Sequence, residues 1–228
     1  MTTVPGSPTP SGAVPERTVT GTPMTPGSVA TVMGPSSAIE VPLVADPAPL
    51  GLAGFGLTTA VLSAINTGLI GGAAVPVVLA LAIPFGGIAQ GLAGMWAFRR
   101  GNTFAATAFT SYGAFWISFF FLELFAPQIR DTTALSQIVG VYLFAWGVFT
   151  TYMLVASLAG AKGVSLVFLL LAVTFFLLAI GAWANNPGTI WTKIGGYTGL
   201  ATAAVALYVS FADVTNANFK RIVLPTTL

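Results

Sequence analysis

Six apolar runs, each close to the roughly 20 residues that cross a hydrocarbon core, constrain this chain more than any other feature. They occupy residues 50–70, 76–98, 102–125, 139–160, 164–185 and 194–214. Lipid offers the backbone no hydrogen-bond partners, so each run must satisfy its own amides and carbonyls, which makes it a helix. Charged residues are only 6% of the 228, against about a quarter in an ordinary soluble domain. The expected fold class is an all-α integral membrane protein with six transmembrane helices. The chain holds no cysteine and no histidine, which excludes disulfides, thiol chemistry, the usual zinc ligand sets and histidine proton relays. No metal or cofactor is expected. No nucleophile–base set suggests an enzyme, and no basic run suggests nucleic acid.

The flanks differ sharply from the middle. Residues 1–45 hold eight prolines, many Ser, Thr and Gly, no aromatic residue, and only Glu16, Arg17 and Glu40 as charges. Such a segment buries too little apolar surface to offset its ordering entropy, so it reads as a disordered tail. The transport-length bundle then spans residues 46–214, and residues 215–228 form a short C-terminal tail. Arg17, Arg99, Arg100, Lys162, Lys220 and Arg221 fall on one side of the alternating loops, Arg130 and Lys193 on the other. The positive-inside rule therefore puts both termini in the cytoplasm of a multi-pass cell-membrane protein. Trp96, Trp183 and Trp191, near run ends, fit interfacial anchors.

Several stretches inside the runs are unusual. The first run opens as DPAPLGLAGFGLTT, residues 46–59. Prolines suit the first turn of a helix, and Gly51, Gly54 and Gly56 keep one helix face bare. That face could border a narrow path or simply pack closely; the residues leave both open. The second run carries Pro84, Gly86 and Gly87 near its middle with Gln90 a turn further on. A broken helix beside a polar side chain is frequent at transport sites, and is also tolerated as a plain kink. Gly87 and Gly91 stand at GxxxG spacing, and Gly195, Gly196 and Gly199 form a second cluster, both pointing to close helix contact. Thr103, Thr107, Thr110 and Ser111 recur at spacings of three and four beside Tyr112. This hydroxyl stripe is expected to line a wet pore, the alternative being bonds back to its own helix carbonyls. Glu123, Asp131 and Asp213 fall near run ends and are read as structural or solvated.

These stretches together resemble the acetate uptake transporter family. The family's Asn-Pro-Ala-Pro-Leu-Gly-Leu signature stands here as Asp46, Pro47, Ala48, Pro49, Leu50, Gly51 and Leu52. The likeness continues through GFGLTT (54–59), FGGIAQ (85–90), GNTFAATAFTSYGAFW (101–116), VYLFAWGVFT (141–150) and YVSFADVTNANFKRIVLP (208–225). The resemblance implies six helices per protomer, assembly as a homo-hexamer in lipid, and a path through each protomer for small monocarboxylates, with succinate taken by some members. It implies a constriction of Phe55, Tyr112 and Leu171, and a substrate-selectivity role for Ala206. Two departures stand out. Asp46 replaces the usual Asn, where a capping role is expected, and the long tail is absent from shorter members.

A path for acetate needs donors for the carboxylate, a dry constriction for the methyl group and no trap that prevents release. The candidate polar lining is Thr58, Thr59, Asn66, Gln90, Asn102, Thr107, Thr110 and Ser111. For Phe55 and Tyr112 to meet at one level, the first helix must start deep, turning its leading amides toward the path. Protons are a candidate co-substrate. The chain shows no histidine and no obvious mid-membrane acid, and acetate, a weak acid, can carry its own proton. The alternative class is a non-transporting multi-span scaffold or assembly protein.

Overall fold

The computed structural model describes residues 44–184 and 189–226. The tail read as disordered lies outside the described residues as far as residue 43, as do residues 185–188 and the last two. The six runs form six spans of helix. They are α1 (Ala48–Asn66), a broken second span, α4 (Thr103–Phe125), α5 (Thr132–Ser157), α6 (Lys162–Trp183) and α7 (Ile190–Phe219). The second span divides into α2 (Val75–Leu81) and α3 (Gln90–Arg99), joined by a π-helical stretch over Ala82–Ala89. Pro84 has no amide hydrogen, and its ring crowds the carbonyl four residues back. The wider π turn accommodates both, so the expected kink takes that form.

Caps explain why the helices outrun their apolar cores. The side chain of Asp131 accepts from the amides of Thr133 and Ala134 at 3.0 Å, which starts α5 well before its apolar run. Asn102 accepts from the Ala105 amide and Thr189 from the Thr192 amide. At the far end α7 continues to Phe219 and closes on Lys220 in the left-handed region (φ 52°). Residues 215–219, expected in a tail, are therefore helix. The chain beyond folds back onto the same helix. The Asn216 side chain donates to the Leu224 carbonyl at 2.8 Å and accepts from the amides of Val223 (2.7 Å) and Leu224 (3.0 Å). The Tyr208 hydroxyl donates to the Pro225 carbonyl at 2.9 Å.

Without a hydrophobic force between helices in lipid, close contact requires small side chains. On α3 and the π stretch, Gly87 and Gly91 meet Gly113 of α4, and Gly94 meets Thr110. Gly196 and Gly199 of α7 meet Asn66, Thr67 and Ser63 at the end of α1. Both clusters lie at close contacts, although a Cβ on Gly91 would meet nothing within 4 Å and the approach there depends on Gly113 of α4. By contrast α4 and α6 scarcely approach through their backbones. Aromatic side chains bridge them instead, Phe104 to Phe168 at 5.4 Å and Phe115 to Phe175 at 5.3 Å between ring centroids. Trp96, Trp183 and Trp191 are 52%, 43% and 43% exposed near span ends, as interfacial anchors would be.

A Cβ on Gly113 would stand 2.8 Å from the Gly87 carbonyl oxygen and 2.9 Å from the Gly91 amide nitrogen, backbone atoms that cannot move aside. Gly113→Val is expected to cost about 1–3 kcal/mol or more, read as a lower thermal unfolding midpoint in detergent.

Candidate functional site

The gap that the rings hold open between α4 and α6 is a cavity of about 140 Å³. That is several times the roughly 10–15 Å³ that admits one water. α1 contributes Ala48, Leu52 and Phe55; α3 contributes Gln90; Asn102 and the first half of α4 form one wall, Val164 to Leu171 of α6 another, and Asp213 of α7 the rim. Ala48, Asn102, Val164 and Asp213 sit near helix ends at one end of the bundle, so the cavity opens there. Helix rise from Ala48 to Phe55 and from Asn102 to Tyr112 gives a depth of roughly 10–15 Å.

The floor is aromatic. Phe55 and Tyr112 have ring centroids 5.8 Å apart, Tyr112 and Phe168 are 6.1 Å apart, and Leu171 lines the same space. The three residues implied as a constriction, on three different helices, therefore converge. Tyr112 presents its ring rather than its hydroxyl. The Thr150 hydroxyl donates back to the Trp146 carbonyl at 2.7 Å, so the Tyr112 hydroxyl, 2.8 Å away, donates to Thr150. Trp146 and Phe149 pack on the other sides of the tyrosine ring and fix it. Ala206 is fully buried in the same core cluster but is not in the cavity lining.

Among the polar candidates, Gln90 and Asn102 line the cavity. Gln90 is 1% exposed, and its Oε1 has no hydrogen-bond partner. Its Cβ lies 3.4 Å from where a Cβ on Gly54 would stand, so it sits at the level of Phe55. An acceptor so placed, in low dielectric, favours a solute that brings a hydrogen-bond donor. Asn102 spends its oxygen on the Ala105 amide, which leaves its amide nitrogen for the mouth.

The other six lie elsewhere. Thr58 donates to the Gly54 carbonyl and faces Gly86; Thr59 is buried with its hydroxyl unpartnered; Asn66 ends α1. Thr110 packs on Gly94 with its hydroxyl unpartnered, Ser111 borders a separate shallow hollow beside Trp146, and Thr107 is half-buried outside the lining. The hydroxyl stripe thus meets α3 and the α4–α5 side, while Phe104, Ala105, Ala108, Phe109 and Tyr112 face the cavity. Periodicity correctly put the hydroxyls on one face, but it carries no information on which neighbour that face meets.

The signature residues build the mouth. Asp46 Oδ1 accepts from the Ala48 amide at 3.0 Å, with Pro47 rather than Asp46 at the N-cap position. Pro49 has no amide hydrogen, its carbonyl accepts from the Ser210 hydroxyl at 2.6 Å, and the Gly51 amide donates to Pro47. Of the four leading amides, the expected anion donors, only that of Leu50 remains. Leu50 itself points outward, 44% exposed. A Cβ on Gly51 would meet the Phe109 ring at 2.6 Å, and Leu52 is in the lining. Sequence reasoning passed over Phe104, Phe109, Phe168 and Asp213; for Asp213, the extended helical pattern through residue 219 was the available signal.

The GPR1/FUN34/yaaH family matches residues 30–228. The chain is 45% identical over 183 residues to the succinate-acetate/proton symporter SatP of Escherichia coli (strain K12), covering 80% of this chain and 95% of that protein. It is 38% identical over 202 residues to acetate permease A of Emericella nidulans, covering 82% and 67% of the two. The solved structure of the bacterial acetate channel SatP superposes with a TM-score of 0.72 at 42% identity, over 80% of this chain and 99% of that one.

Tyr112→Phe removes one buried hydrogen bond but leaves every ring contact and the Thr150 bond to Trp146. A loss of about 0.6–1.5 kcal/mol is expected, whereas Tyr112→Ala, which empties the floor, should cost about 3–5 kcal/mol. Thermal unfolding of the two variants side by side checks the difference.

Proposed function

The chain belongs to the GPR1/FUN34/yaaH family, and on that premise we propose that it carries small monocarboxylates, acetate first among them, through the cavity that ends on Phe55, Tyr112 and Leu171. The observation that carries this reading is a cavity of about 140 Å³ with apolar walls, an aromatic floor and one buried side-chain oxygen without a partner, Gln90 Oε1. Acetic acid divides in the same way: its methyl group suits the walls and rings, and its protonated carboxyl group can donate to the unpartnered Gln90 Oε1. The acid reaching Gln90 exchanges hydration for a single hydrogen bond, which leaves it free to move on. Passage then requires Phe55, Tyr112 and Leu171 to part. Their size sets which acids pass, with Ala206 behind them deciding how far they can give.

The mouth lies at the end where Arg99, Arg100, Lys162, Lys220 and Arg221 gather, which on the positive-inside reading is the cytoplasmic face. Both termini, with the tail over residues 1–45 and the segment after α7, belong there too. The protein works in the cell membrane as a transporter or channel rather than an enzyme, as a hexamer with one path per protomer. Succinate is a second substrate, and flux is proton-linked; the names of the relatives support both readings.

Purified protein in vesicles should accumulate radiolabelled acetate above empty vesicles, more so with a pH gradient, and lactate and succinate should compete. Equality with empty vesicles refutes the reading. Leu171→Ala should raise lactate or succinate uptake relative to acetate at unchanged expression; a scaffold would show only a folding defect. Glu123 lies at the opposite end of α4 from the mouth, so Glu123→Gln should leave both uptake and its pH response intact.

A further inference from the structure

Asp213 is the acidic side chain in the cavity lining. It sits six residues before the end of α7, roughly 9 Å inside the helix terminus, and is half-buried. A carboxylate at that depth is costly and normally has a partner. Asp213 has neither a hydrogen bond nor an ion pair among the described residues. The charge that reaches it is that of Asp46, which precedes α1, is exposed, and is engaged by the Ala48 amide. The cationic groups at this end of the bundle turn elsewhere. Arg100 donates to the Val44 carbonyl at 2.8 Å, and Arg99, Lys162, Lys220 and Arg221 are exposed. Asn102, across the mouth, is neutral and its oxygen is taken. Among the described residues no cation cancels this carboxylate, which borders the cavity.

We infer that Asp213 sets the charge on which this path operates: a substrate carboxylate reaches the ring floor only when one proton is held between it and the Asp213 carboxyl. The inference rests on the reading of the cavity as the acetate path. Two ionised carboxylates in a space of this size repel in low dielectric, whereas one proton shared by the pair turns repulsion into a hydrogen bond. The proton can arrive on either partner, from bulk water, and leaves with the substrate. Each acetate then passes with one proton and no net charge, so coupling needs no relay deeper in the membrane. Asp46 does not do the same, because it is exposed, so solvent screens it, and it lies outside the cavity lining.

The test uses the full chain reconstituted in vesicles, comparing wild type with Asp213→Asn, Asp213→Ser and Asp213→Glu. Labelled acetate uptake above empty vesicles is followed from about pH 5 to about pH 8, with and without an imposed inside-positive membrane potential. Comparison at equal pH cancels the titration of acetate itself. Asp213→Asn and Asp213→Ser should match wild type at the acid end and exceed it near neutrality by on the order of fivefold, the effect of removing one partly screened like charge. Their uptake should also rise with the potential, because the anion now passes alone; wild type and Asp213→Glu should ignore it. The serine variant serves if the asparagine variant fails to assemble. Uptake by the uncharged variants with the wild-type pH profile and no response to potential overturns the inference while acetate transport stands. A lower rate with an unchanged profile marks a structural role and overturns it equally. Wild-type uptake no higher than empty vesicles removes the transport reading and this inference with it.

Discussion

The cavity depends on the aromatic rings that stand between α4 and α6. At the α3–α4 and α1–α7 contacts the helices close up through small residues, as lipid provides no hydrophobic drive for association. Gly87, Gly94 and, from α4, Gly113 let α3 and the π stretch rest on α4, and Gly196 and Gly199 let α7 rest on the end of α1. Between α4 and α6 the contacts are instead ring to ring, Phe104 with Phe168, Tyr112 with Phe168 and Phe115 with Phe175. Rings keep two helix axes apart yet are flat, so they leave space where a row of leucines would have filled it. The glycine crossings make the frame rigid, and the aromatic spacers make it hollow.

The polar groups follow from that division. Most buried polar side chains in this bundle have a local partner, Thr59, Thr110 and Trp116 being exceptions away from the hollow. Thr58 and Thr150 bond back to their own helices, and Asn102, Asp131 and Thr189 cap. Gln90 and Asp213 have no partner of this kind, and both border the cavity. One lies at the floor and the other at the rim, so a solute carboxylate meets a charge first and an amide last. The Tyr112 hydroxyl is drawn away to Thr150, which keeps the floor dry.

The signature DPAPLGL is best understood as construction of a mouth rather than as a binding loop. Asp46 uses its carboxylate on the Ala48 amide, and the prolines remove or redirect the amides around them. The helix start is thereby nearly drained of free donors, although an anion site there was expected. What the stretch delivers to the cavity is space and shape: Gly51 admits the Phe109 ring, and Leu52 and Phe55 present apolar surface. The motif after residue 208 works similarly, since Tyr208 and Asn216 fasten the returning C-terminal segment against α7.

Much of this was legible in the chain itself. Span length and the near absence of charge decided a six-helix membrane protein, because backbone hydrogen bonds have no other solution in lipid. Spacing located the glycine seams, and the resemblance brought together Phe55, Tyr112 and Leu171. Tertiary structure alone decided which face of each helix met the hollow. The hydroxyl stripe of α4 and the phenylalanine stripe a quarter-turn away are equally periodic, and only the packing of Gly94 of α3 on Thr110 of α4 turns the hydroxyls aside and leaves the rings to the cavity. It also moved Asp213 from a presumed solvated end to the rim of the cavity, by continuing α7 past it. Sequence determines what each helix can bury; the arrangement of neighbours determines what it does bury, because a face acquires its role only from the surface opposite.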